Sequence, residues 1–120
     1  MKILLLLSIL VTSDPVNGTW RGESICAAKG TACKDEKVVY YISIVAGKAD
    51  VVSIRADKIV DGQAITMGTG EWKHNAEQHT ISWETPRQTW LLKVKGDTID
   101  GTLTLADKTV VRQMTLKKDK

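Results

Sequence analysis

At 120 residues the chain has room for one domain with a modest core, and its formal charge of +3 is too weak and too scattered to mark a nucleic-acid partner. No Ser-centred elbow, phosphate loop, His-Glu metal motif or convincing carboxylate pair occurs in it. The composition therefore argues against an enzyme, a bound metal or a cofactor, and leaves binding as the class to pursue.

Residues 1–13 read as a secretion leader. Lys2 supplies the charge, Ile3–Leu7 and Ile9–Val11 the apolar stretch, and Val11 and Ser13 the small side chains of a cleavage site. The apolar run is too short to cross a bilayer, so no transmembrane segment is expected after its removal. This predicts a periplasmic or secreted protein whose folded domain occupies residues 14–120.

A first strand is predicted over Thr19–Ile25. Cys26 and Cys33 follow it, and an even cysteine count in an exported chain predicts a disulfide between them. Closing so short a loop contributes about 2–3 kcal/mol by chain entropy. The spacing matches neither a thioredoxin-type pair nor a short zinc knuckle.

The rest of the chain alternates apolar and polar residues in short runs broken by turn residues, which is the all-β pattern. Lys37–Val45 sets Val38, Tyr40, Ile42 and Ile44 on one face. Asp50–Lys58 opposes Val52, Ile54 and Ala56 to Ser53, Arg55 and Asp57. Asp61-Gly62 is a strong hairpin signal before a strand over Gln63–His74. That strand changes parity between Met67 and Trp72, across Gly68 and Gly70, which predicts a bulge or bend. A turn over Asn75–Gln78 would set Gly70 opposite Trp83, Trp72 opposite Ile81 and His74 opposite His79, in a strand over His79–Glu84. Strands over Gln88–Lys95, Thr98–Leu105 and Thr109–Lys117 complete the chain, the last with Val110, Arg112, Met114 and Leu116 on one face. Eight strands joined by short loops predict an antiparallel meander. Closing it into a small barrel removes the exposed edges, and a β-sandwich is the alternative.

An arginine on an apolar face needs a partner, because a buried unpaired charge is costly. The face of Trp20 is the candidate for Arg112, through cation–π contact and stacking, if the first and last strands are neighbours. With Gly18-Thr19-Trp20 on the first strand and Arg112 on the last, the chain resembles the calycin and lipocalin-like barrels. It also looks like small exported barrel proteins with paired cysteines after the first strand. The resemblance implies that Trp20 closes one barrel end, that Arg112 packs across it, and that Gly18 allows the close turn. It covers most of the folded region as architecture. The chain is much shorter than full-size lipocalins and has no long first loop and no clear C-terminal helix.

The chain has no phenylalanine, so every aromatic ring carries a polar group, a feature suited to half-wet positions at cavities and interfaces. An eight-stranded barrel can fill its interior with its own side chains or hold one small ligand. Candidate lining residues are Tyr40, Ile54, Met67, Trp72, Trp83, Trp90 and Met114. The expected function is binding of a small, partly apolar ligand. The alternative is a protein-interaction or inhibitor module that meets its partner through loops, the Cys26–Cys33 loop above all.

Overall fold

The computed structural model describes residues 16–27 and 32–120; the expected leader, residues 1–13, lies outside them. Eight strands follow in order: β1 Gly18–Cys26, β2 Glu36–Val45, β3 Lys48–Val60, β4 Gln63–Asn75, β5 Thr80–Glu84, β6 Gln88–Lys95, β7 Thr98–Leu105 and β8 Val110–Lys118. Every strand pairs antiparallel with its sequence neighbours, and β1 pairs with β8, so the meander closes into a barrel. Alternation carries one face of each strand inward. Trp20, Val38, Tyr40, Ile42, Val52, Ile54, Trp72, Ile81, Leu92, Ile99, Met114 and Leu116 form the buried core. Burying them takes their apolar area out of water and is the main driving force for the closed form.

Local chemistry sets the turns. Asp61 and Gly62 both have positive φ, 52° and 80°, as a two-residue hairpin between the paired Val60 and Gln63 requires. The β4–β5 turn differs from expectation. Asn75 stays in the ladder opposite Thr80, and its Oδ1 accepts the Gln78 amide at 3.0 Å. His79 takes φ 58° and ends the turn instead of starting β5. The register therefore moves by two residues, so that His74 faces Ile81 and not His79.

The parity change in β4 is a bulge. Ala56 pairs with Gly68 and Asp57 with Thr66, which leaves Met67 as the extra residue. A second bulge lies at Val111, between the pairs Leu103–Arg112 and Thr104–Val110. Val110 consequently leaves the inward face of β8 and is exposed.

The expected position of Arg112 over Trp20 is corrected by the β1–β8 register. Trp20 pairs with Lys118, whereas Arg112 pairs with Cys26. Six residues of strand separate the two positions, about 20 Å at ~3.4 Å per residue. Lys118 holds its Nζ 5.7 Å from the Trp20 ring centroid, so the cation at that end is a lysine. The Trp20 Nε1 donates to the Val16 carbonyl at 3.0 Å, and Val16 is itself buried. Gly18, at φ 151°, lies under the Lys118 stem, where a Cβ would come within 2.7 Å of Cε. Trp20 and Gly18 thus belong to this closed end, and Arg112 to the opposite one.

At that opposite end the Cys26–Cys33 disulfide is formed. Arg112 ties the segment after it to the barrel. Its Nη1 donates to Ser24 Oγ at 3.0 Å and to the Ser24 carbonyl at 3.3 Å, and its Nη2 donates to the Lys34 carbonyl at 3.1 Å. Glu36 Oε1 lies 3.6 Å from Nη1 and supplies the counter-charge. The requirement that an inward arginine be partnered is met, by carbonyls, a hydroxyl and a carboxylate instead of a ring.

Candidate functional site

The two halves of the barrel are filled differently. Around Trp20 the interior is packed with Ile42, Val52, Ile99 and Leu116, all nearly without solvent contact. Toward the Arg112 end a cavity of about 400 Å³ remains. Its wall comes from β2 (Tyr40), β3 (Ile54 and Ala56), β4 (Met67–Trp72), β5 (Trp83) and β6 (Trp90).

Inward alternation explains most of this lining, and missing side chains explain the space. Gly68 and Gly70 occupy inward positions on β4, and nothing lies within 4 Å of where a Cβ would sit on either. At these two positions the strand sends no side chain into the barrel. Trp72, next on the same face, stands at the centre of the aromatic group. Its ring centroid is 6.4 Å from Tyr40, 5.9 Å from Trp83 and 6.3 Å from Trp90, at interplanar angles of 65°, 42° and 57°. These are edge and tilted contacts within the range that aromatic pairs favour.

Six of the seven lining residues read from the sequence surround the cavity: Tyr40, Ile54, Met67, Trp72, Trp83 and Trp90. Met114 does not line it. The Tyr40 hydroxyl donates to Met114 Sδ at 3.4 Å, and Met114 is buried against Gly101. Sequence reasoning missed Ala56, Gly68, Thr69, Gly70 and Glu71. The two glycines were legible in principle, since they share parity with Trp72 and His74.

The β4 side of the cavity has an unusual boundary. β4 pairs with β5 only through Lys73–Ser82, His74–Ile81 and Asn75–Thr80. From Gln63 to Trp72 its outer edge has no strand partner among the described residues. Exposed Ile65 and Met67 stand on that stretch, with exposed Trp83 on β5.

The electrostatics are sparse. Glu71 lines the wall but its carboxylate meets Lys48 Nζ at 3.4 Å. Burial pushes the Tyr40 hydroxyl up to about 12; the Glu36 carboxylate adds to this and Arg112 opposes it. Tyr40 is therefore a neutral group at physiological pH. His74 is buried beside Ile81, and among the described residues no three His, Cys, Asp or Glu side chains are grouped to hold a metal ion.

The closed eight-stranded meander is consistent with a calycin-like fold. No protein-family model matches the chain, and no curated protein matches it either.

Proposed function

We propose that this protein is an exported, non-enzymatic binder of a small, partly apolar ligand, held in the cavity among Tyr40, Trp72, Trp83 and Trp90. One observation carries the reading. The barrel fills one half with its own side chains and leaves about 400 Å³ among four aromatic rings in the other. That volume falls toward the small end of the range for ligand pockets, roughly 300–1,000 Å³. The mostly apolar wall suits an apolar body, and polar-tipped rings suit a ligand with one or two polar groups. The disulfide fits a periplasmic or secreted location, in agreement with the leader read in residues 1–13.

A protein-interaction role through loops has its own support in exposed Ile25, Val60, Leu105 and Val110, all at strand ends around the Arg112 end of the barrel. Native mass spectrometry of protein purified from its own host separates the two. A co-purifying molecule of a few hundred daltons, lost from a Gly70→Leu variant that still folds, supports ligand binding. A bare chain together with a stoichiometric protein partner would replace that reading with the second.

A further inference from the structure

The tryptophans divide into two kinds. Trp20, at the closed end, has its indole N–H satisfied by the Val16 carbonyl at 3.0 Å. Trp72, Trp83 and Trp90 make ring contacts, but among the described residues no protein acceptor meets their N–H groups. Trp72 is only 9% exposed, yet its nitrogen is not sealed in. Among the described residues the one fully buried side-chain N or O atom without a partner is Asp57 Oδ1. An indole nitrogen can only donate. The donor belongs to a nine-tenths buried ring that lines the cavity, keeps solvent contact and has no protein acceptor among the described residues.

The remaining groups point the same way. The Tyr40 hydroxyl already donates, to Met114, and stays neutral. The one acidic residue on the wall, Glu71, is engaged by Lys48. Among the described residues the lining holds no other carboxylate to neutralise a cation, and desolvating an ammonium without a counter-charge is costly.

Resting on the reading of the cavity as a ligand site, we propose that it selects its ligand by hydrogen-bond acceptors. The favoured class is a compact apolar molecule bearing a carbonyl or similar acceptor oxygen and no ammonium group. Trp72, with Trp83 and Trp90, provides the donors as well as the rings. Binding removes from water an N–H that the protein leaves unpaired, and an acceptor compensates for that where a plain hydrocarbon cannot.

Three probes of one skeleton test this: indane, 1-indanone and protonated 1-aminoindane, titrated by calorimetry and by ¹H–¹⁵N NMR of the indole N–H signals. Indanone should bind about tenfold more tightly than indane, which is the effect of one or two net hydrogen bonds, and aminoindane more weakly than indane. Indanone should move the Trp72, Trp83 and Trp90 signals and leave the Trp20 signal in place. Trp72→Phe keeps a ring and removes the donor, so it should reduce the indanone-to-indane affinity ratio at least threefold, whatever the lost ring area does to indane itself. If that variant does not fold, Trp90→Phe makes the same comparison. Equal binding of indane and indanone overturns acceptor selection and leaves the ligand site standing. Tightest binding of aminoindane overturns it in favour of an aromatic cage for cations. Failure of all three probes, and of dodecanoate, removes the ligand site and the inference together.

Discussion

Replacing Gly22 by alanine would place a methyl group where the backbone of β8 already runs. Gly22 pairs with Leu116 across the seam that closes the barrel. A Cβ there would lie 2.8 Å from the Thr115 carbonyl carbon and 2.9 Å from Leu116 Cα, and closer still to the Thr115 carbonyl oxygen. Carbon atoms rest at about 3.5–4.0 Å, so β8 would have to retreat by more than half an ångström. Its neighbours cannot absorb the shift, because Leu116 and Met114 are fully packed inside. Overpacking of this kind costs about 1–3 kcal/mol. Two ladder hydrogen bonds stretched beside it add about 0.5–1.5 kcal/mol each. The expected loss is about 2–6 kcal/mol, a large part of the stability of a domain this size. Gly70→Ala is the control: the same methyl group enters open space, and the change should stay within about 1 kcal/mol, on the stabilising side. Urea unfolding followed by tryptophan fluorescence and by far-ultraviolet circular dichroism measures both. A Gly22→Ala protein within 1 kcal/mol of the parent would refute the close β1–β8 approach from which the figure was built.

Two further outcomes follow from the charged and polar groups. Because the Tyr40 hydroxyl is raised to about 12 in the fold, mainly by burial, its contribution is fully present below the unfolded value near 10 and is lost as pH rises through about 12. The alkaline loss should reach about 2–3 kcal/mol, and Tyr40→Phe should abolish that limb in urea midpoints compared between about pH 9 and pH 12. Arg112→Ala leaves Ser24, the Lys34 carbonyl and Glu36 without their shared donor, and partial exposure keeps the cost to about 2–3 kcal/mol by the same unfolding assay. Arg112→Lys should recover less than half of this, because one ammonium cannot span the sites that Nη1 and Nη2 reach together.

How far the sequence could be read depended on the range of the interactions involved. Strand existence, the Asp61-Gly62 hairpin and the bulge near Met67 are written in nearby residues, and alternation carried Tyr40, Ile54, Trp72, Trp83 and Trp90 to the right side of the sheet, with Met67 reaching the cavity from the bulge. What failed was register between distant segments. Nothing local to Trp20 says whether Arg112 or Lys118 will face it, although parity was available, since 112, 114, 116 and 118 all point inward. The lysine lies in the charged run Lys117-Lys118-Asp119-Lys120, whose composition gives no sign that one of its members faces a ring. Met114 failed for a different reason: it does point inward, but its Sδ accepts the Tyr40 hydroxyl, and of the two it is Tyr40 that lines the cavity. The histidine pair was lost to the Asn75 turn, whose side-chain hydrogen bond lengthens the strand by one residue and so moves the facing strand by two.

The seam between β1 and β8 also bears on when this chain can fold. Residue 20 is covered by residue 118, and Asp119 still contributes its amide to the Thr19 carbonyl at 2.8 Å and its carboxylate to Arg21 Nε at 2.7 Å. Contacts 98 residues apart in sequence form only after the entropy of closing so long a loop has been met. A nascent chain stopped anywhere before the last strand leaves Trp20 uncovered and two sheet edges unpaired. The barrel is consequently sealed only once β8 is available to pair with β1.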